Sequence, residues 1–356
     1  MRSLKKLSMV AGSIALTLAC GGGSSTSSSP SQFNPITSKA SDRQQQLEAA
    51  AKKEGEVDWD TSLAGDSVTA IQKAFEAKYP YLKMVVFRGA ENDIVTRVVQ
   101  DAQAGHYNVD SIESPLSSLL SLREAQLVQP YYSPPANKVV KEYRLDGSGG
   151  LVWGASDRIS YIGFGYNTKS LSTDAVPKSL KDLTNPGLKG KMGISNTTTG
   201  VRWTGSVLHT MGDSGGRDFL AQMAKQQVKP QAVSGAQVMS MVASGKLAAS
   251  PAVFESHAKL EAKNGGPVVW VPVEPVTANV GAMMVAAKPR HPAGAMLFTD
   301  FLLGPDGQKL LADFFYGNPT KTEAFKTWVP EAGLDAKGYD AQYKIWQQLF
   351  KQTFES

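Results

Sequence analysis

The chain has 356 residues, 42% of them hydrophobic and 19% charged, with a formal charge of +5 and a single cysteine. The roughly 315 residues from about position 40 onward exceed what one hydrophobic core usually serves, so two lobes are expected, and without a cysteine pair packing must hold them. Arg2, Lys5 and Lys6 supply three of the positive charges, and the +2 that remains, with no long basic block and no interleaving of basic and aromatic residues, excludes nucleic acid as a partner.

Those three cations precede an apolar run from Leu7 to Ala19 that stops at Cys20. Such a run is too short to span a bilayer as a permanent helix, and its charged front and small-residue exit read as a secretory signal peptide over residues 1–19. Leu16-Thr17-Leu18-Ala19-Cys20 resembles a lipoprotein signal, in which the cysteine receives lipid and becomes the N-terminus, although Thr17 stands where leucine is usual. The alternative is ordinary cleavage that leaves Cys20 as a plain thiol. The run from Gly21 through Ser29 to Pro30 cannot bury a core, so residues 20–40 are expected to form a flexible tether. The expected location is the periplasm or cell surface, with lipid at Cys20 attaching the protein to a membrane. No later apolar stretch approaches about eighteen residues, so nothing after the leader is expected to span a membrane.

Helix and strand patterns then alternate. Leu47 to Lys53 reads as a short helix and Glu56 to Asp60 as a half-buried strand; Val68, Ile71, Phe75 and Tyr79 share one helical face that Pro80 ends. Lys83 to Phe87 is β-rich, Arg88-Gly89-Ala90 turns the chain, and Ile94, Val95, Val98 and Ala102 mark a second amphipathic helix. This βαβα order predicts a mostly parallel sheet. A strand at Val109 to Ile112 and a helix at Leu116 to Ala125 follow, and Ile159 to Tyr166 reads as a long strand able to pass between lobes. A strand at Met192 to Ile194 leads through a polar loop into a helix containing Trp203 and Leu208. Then come a helix at Gln237 to Ser244, strands at Val268 to Val273 and Val280 to Ala287, a helix from Ala293 to Leu303, and aromatic-rich helices over the last fifty residues.

Several stretches, in order and spacing, carry a resemblance. They are Ala50 to Val57 with Thr61-Ser62-Leu63, Ala70 to Pro80, Gly165 to Thr168, Pro177 to Leu183, Leu188 to Lys191, and His291 to Gln308. Together they resemble an extracellular solute-binding protein of an ABC importer, of the periplasmic-binding-protein type 2 class that includes ferric-ion, thiamine, polyamine and phosphonate binders. The resemblance implies an α/β, two-lobe fold with mainly parallel-core sheets joined by crossing hinge strands. Lobe 1 would comprise residues 41–156 and 278–315, lobe 2 residues 157–277, with C-terminal helices over 316–356. It further implies a monomeric, non-enzymatic protein that needs no cofactor, closes on a small-molecule ligand and delivers it to an ABC permease.

In a parallel α/β lobe ligands bind at the carboxyl ends of strands, where helix starts offer unpaired N–H groups and a dipole that favours negative charge. Four junctions fit: Thr61-Ser62, Arg88-Gly89-Ala90, Asn196 to Gly200 (with Thr198 and Thr199) and Ser234-Gly235-Ala236. Ordinary N-capping by these residue types is the alternative at each. Arg88, Arg158 and Arg202 are candidate bidentate donors to a carboxylate, phosphonate or sulfonate, with pairing to Asp157 the alternative for Arg158. Asp60, Glu113 beside Ser114, and Glu255 beside Ser256 and His257 are surface carboxylates or partners of a cationic group on a zwitterionic ligand. Trp153, Tyr161 and Trp203 would either stack on an organic ligand or pack in the core.

Ferric binders of the family usually carry adjacent tyrosines in the segment matched to Val253 to His257, and none is present there. Iron is therefore disfavoured, and a hard cation on Glu113, Glu255 and His257 is a lesser alternative to an organic anion. An exported hydrolase using Ser256 and His257 lacks a Gly-x-Ser-x-Gly elbow. An envelope sensor with the same fold is the third reading.

Overall fold

A computed structural model describes residues 33–355; the expected signal peptide, Cys20 and most of the tether lie outside the described residues. The first three strands each hand over to a helix at their carboxyl end. α1 (Arg43–Glu54) ends at Gly55, whose left-handed φ of 73° turns the chain into β1 (Glu56–Thr61). α2 (Gly65–Lys78) buries Val68, Ile71 and Phe75 on the expected face and stops before Pro80. β2 (Lys83–Arg88), α3 (Glu91–Gln103), β3 (Ser111–Pro115) and α4 (Leu116–Glu124) follow, and β1 lies between β2 and β3, parallel to both. Trp59 packs on Phe298 with ring centroids 4.8 Å apart, and Phe298 on Phe75 at 5.2 Å, so an aromatic cluster fills this half beneath the sheet.

After the short β4 (Val128–Gln129) and β5 (Arg144–Asp146), β6 runs sixteen residues from Val152 to Asn167, well beyond the Ile159 to Tyr166 expected. The polar Ser156, Asp157 and Arg158 hid its first half from a hydrophobicity reading, yet all three are buried. The second half adds β7 (Gly193–Ser195), α5 (Thr198–Lys225, broken at Gly212), β8 (Lys229–Gln231), α6 (Gly235–Ala243), β9 (Ala249–Phe254), α7 (Glu255–Lys263) and β10 (Val268–Val271). β9 and α7 carry no clear apolar period, since Ser250 and Pro251 interrupt the one and polar residues fill the other. β11 (Val276–Ala286), α8 (Pro292–Leu303), α9 (Pro305–Asp313), β12 (Thr327–Trp328) and α10 (Ala336–Phe354) complete the chain.

The main sheet has the order β10-β6-β11-β3-β1-β2, and β7 with β8 forms a separate parallel pair. β6 is the strand common to both halves: antiparallel to β11 through its middle, and to β9 and β10 at its end. Gly163 is required there, because a Cβ would lie 2.5 Å from the Trp270 ring. Opposite Gly281 of β11 the register slips, leaving Asp157 as an extra residue between Ser156 and Arg158.

Among the described residues of the last fifty α10 is the only long helix, because Gly317, Pro319, Pro330 and Gly333 keep the preceding segment irregular. α10 docks on α5 and α4, with Trp346 buried among Tyr339, Tyr343 and Trp328 at centroid distances of 6.0, 6.3 and 5.5 Å. Trp346→Ala is expected to lower unfolding stability by about 3–5 kcal/mol, whereas Ile345→Ala on the exposed side of the helix stays within about 0.5 kcal/mol. Urea-induced unfolding of both variants checks this.

Candidate functional site

Six strand-to-helix junctions border one cavity of about 390 Å³. Ser62 and Ala64 lead into α2, Arg88, Gly89 and Ala90 into α3, Pro115 into α4, Thr197 to Thr199 into α5, Ser234 to Ala236 into α6, and Phe254, with Ser256 and His257, into α7. Arg158 and Ser160 of β6, Asn279 of β11 and Tyr316 complete the wall with Glu91 and Arg202. Four of these junctions were legible in the sequence. The other two, at Pro115 and Phe254, have neither a hydroxyl nor a glycine at the N-cap itself, and the sequence singled out their neighbours Glu113-Ser114 and Glu255-Ser256 as carboxylates instead.

Five of the six helices have no side-chain cap: their N-cap positions are Ala64, Ala90, Pro115, Thr197 and Phe254. The Thr197 hydroxyl lies 2.8 Å from Ser195 Oγ instead of turning back to its helix. Only Ser234 caps in the ordinary way, accepting from Gln237 N at 3.3 Å. The first-turn amides of these helices therefore keep their donor capacity, and each helix end favours negative charge by roughly 0.3–1 kcal/mol.

The arginines are held by protein partners. Arg158 Nη2 donates to Glu113 Oε1 at 2.9 Å and to Ser62 Oγ at 3.2 Å, and Glu113 also accepts from Thr61 Oγ1 and Ser62 N at 2.7 and 2.9 Å. Burial alone would pull the Arg158 pKa down, but Glu113 and Asp157 hold it above the ordinary arginine value. Arg158 thus pairs with Glu113. Asp157 has no hydrogen-bond partner for either carboxylate oxygen, and burial followed by the Glu113 charge raises its pKa well above the carboxylate range. Gly281 makes room for the pair, since a Cβ would lie 2.9 Å from Arg158 Cγ and from Glu113 Oε1.

Arg202 is 2% exposed and bridges separate elements. Its guanidinium donates to Ser117 Oγ at 3.1 Å, Glu331 Oε1 at 3.0 Å, the Tyr339 hydroxyl at 3.0 Å and Asn279 Oδ1, with Glu91 3.7 Å away. Burial disfavours its charge, yet Tyr339, Glu331 and Glu91 raise its pKa. Arg88 gives its Nε to Leu63 O at 3.0 Å and is otherwise exposed. The His257 imidazole, lowered by burial to about 4, is neutral near pH 7 and its Nδ1 has no partner, so no third group orients it as a hydrolase triad would need.

Of the sequence candidates, Ser62, Arg88, Gly89, Arg158, Thr198, Thr199, Arg202, Ser234 and Gly235 line the cavity, and Asp60, Thr61, Glu113, Ser114 and Glu255 do not. Asp60 is turned to Arg97, and burial raises its pKa to about 6 despite that partner. Thr61 and Glu113 are consumed as above, Ser114 Oγ lies 2.8 Å from Ser118 Oγ, and Glu255 pairs with Lys259 at 2.7 Å. Among the described residues Glu113, Glu255 and His257 do not form a group able to share one ion. Trp203 and Tyr161 are core residues, and the aromatic wall is Phe254 and Tyr316. Asn279, Ser160 and Tyr316 had no sequence signal, because only the strand register and the irregular C-terminal segment bring them to the cavity.

Similarities to known proteins bear on this geometry. An uncharacterized protein of Haemophilus influenzae is 29% identical over 194 residues, and the chain spans about half the length of this curated relative, 56%, with 52% of its own. AfuA from Actinobacillus pleuropneumoniae with exogenous fructose-6-phosphate bound is similar in structure at TM-score 0.65 and 19% identity, over 85% of this chain and 99% of that one. Iron-bound HitA from Pseudomonas aeruginosa gives 0.66 and 18%, over 84% and 99%. The substrate binding protein of an ABC transporter from Agrobacterium tumefaciens gives 0.69 and 13%, over 83% and 94%. At these identities the likeness is one of fold, that of two-lobed type 2 periplasmic binding proteins. The model described as bacterial extracellular solute-binding protein matches residues 70–333, and the chain belongs to that family.

Proposed function

We propose that the chain is the non-enzymatic, monomeric solute-binding component of an ABC importer, and that it captures a small organic anion in the 390 Å³ cavity. The convergence of helix N-termini without side-chain caps carries this reading. Glu113 neutralises Arg158, and Glu331 with Glu91 faces Arg202, so among the described residues Arg88 is the lining arginine without a carboxylate partner. Attraction for an anion then comes mainly from amide dipoles already fixed in place, which need little reorganisation to receive it. Ser62, Arg88, Gly89, Arg158, Thr198, Thr199, Arg202, Ser234 and Gly235 are the residues we assign to this site.

The lobes we assign are residues 41–156 with 278–315, and residues 157–277, crossed by β6 and β11. Arg202 belongs to the second lobe, while its partners Ser117 and Glu91 belong to the first. Closure about the crossing strands would make these contacts together with those to ligand, and a ligand that binds better in the closed form shifts the population toward it. Lipid at Cys20 would keep the binding protein near its permease.

Phosphonates, sulfonates and carboxylates are expected to raise Tm, by about 2.7 kcal/mol of stabilisation at a hundredfold excess over Kd. Polyamines and ferric ion are expected to give no shift, and a thermal-shift screen in which only those raise Tm overturns the anion reading. Gly281→Ala, which pushes against the Arg158–Glu113 pair, is expected to weaken anion binding about tenfold by calorimetry with the circular-dichroism spectrum unchanged.

His257 gains its proton in the unfolded chain near pH 6.5 but in the folded protein only near pH 4. Its contribution to stability is complete above pH 6.5 and is lost as pH falls toward 4, by roughly 3 kcal/mol at most. Unfolding of wild type and His257→Gln at pH 7 and 4.5 measures the difference, which shrinks at the lower pH. Labelled palmitate is expected to enter the wild-type protein in its host and to be absent from Cys20→Ser.

A further inference from the structure

A second cavity of about 230 Å³ adjoins the first and shares Glu91 and Thr198 with it. It lies between α3 and α4 on one side and α10 on the other, and its chemistry is different. No arginine, lysine or histidine lines it; its charged groups are the carboxylates of Glu91 and Asp340. Asn92 and Thr96, one helical turn apart on α3, and Thr198 at the start of α5 present side chains that make no hydrogen bond within the described residues. Ser117 and Tyr339 also line it, and both are already tied to Arg202.

We propose that this compartment receives the uncharged, hydroxyl-bearing end of the solute whose anionic head occupies the first cavity, so that the solute is a polyhydroxylated organic anion. This rests on the anion reading above. A second anionic group would meet Glu91 and Asp340. An apolar tail would strip water from Asn92, Thr96 and Thr198 and return no hydrogen bond, which is the costly way to bury a polar group. An amine finds little uncompensated charge, because Glu91 already accepts from Ser117 and faces Arg202, while Asp340 is exposed and screened. Hydroxyls satisfy the amide, the two threonines and the Glu91 carboxylate alike.

The test compares ligands that share a head and differ in tail, by calorimetry on the full soluble body. Glycerol 3-phosphate is set against methyl phosphate and phosphoethanolamine, and gluconate against acetate. In at least one series the hydroxylated member is expected to bind about tenfold or more tighter than its short counterpart, the gain of one or two net hydrogen bonds. Thr96→Phe, at a rim position on α3, is expected to bring that ratio down toward one, with thermal unfolding confirming the fold. Equal affinity of hydroxylated and short members, a gain for phosphoethanolamine alone, or a ratio that survives Thr96→Phe overturns this inference and leaves the anion reading standing. If none of the anions binds, both fall.

Discussion

The Glu113–Arg158 pair sets the geometry of everything around it. Neither group reaches solvent freely, with Glu113 0% and Arg158 5% exposed, and such a pair is costly unless further hydrogen bonds support it; here Arg158 Nη2 and both Glu113 oxygens have them while Arg158 Nε does not. The supporting bonds come from Thr61 and Ser62 at the end of β1, so the pair fixes the entrance to α2, the end of β3 and the middle of β6 in one arrangement. The neighbouring strand must then offer a residue without a side chain, and Gly281 does so. The cavity wall is accordingly a set of backbone and charge positions held rigid from behind, the condition under which oriented dipoles act on a ligand most effectively.

The two buried arginines of the cavity wall are each paired, Arg158 with Glu113 and Arg202 with Glu331, and Arg88 at its exposed edge is not. A surplus of free cations would attract any anion and the counterions of the envelope alike, whereas matched pairs with open helix ends favour a ligand small enough to reach several amides at once. Arg202 shows the same economy at longer range. Its partners come from α3, α4, β11, α10 and the segment around Glu331, so one guanidinium reports on the relative placement of five parts of the chain. Displacing any one of these parts would break several of the bonds together.

Much of this was legible from residue types. The βα alternation, the helix faces of α2 and α3 and the glycine and hydroxyl junctions of α2, α3, α5 and α6 follow from periodicity and turn chemistry, and nine of the chosen residues line one cavity. What could not be read is what long-range pairing decides. Glu113 looked like a strand-end carboxylate open to a cation, and only the register of β1, β3 and β6 turns it onto Arg158. Arg202 looked like a free donor, and its consumption by Glu331 and Tyr339 depends on residues more than a hundred positions away. The full length of β6 was hidden because buried polar residues imitate a loop to any reading based on hydropathy.

Glu331 and Tyr339 reach Arg202 from the irregular segment before α10 and from α10 itself, elements that follow both assigned halves of the fold in the chain. Without that segment Arg202 would keep only the more distant Glu91 carboxylate at 3.7 Å, and breaking a buried pair costs on the order of 3–5 kcal/mol. Docking of α10 therefore completes both the aromatic contact with α5 and the charge balance around Arg202, so a substitution that loosens the helix is felt at the cavity wall as well.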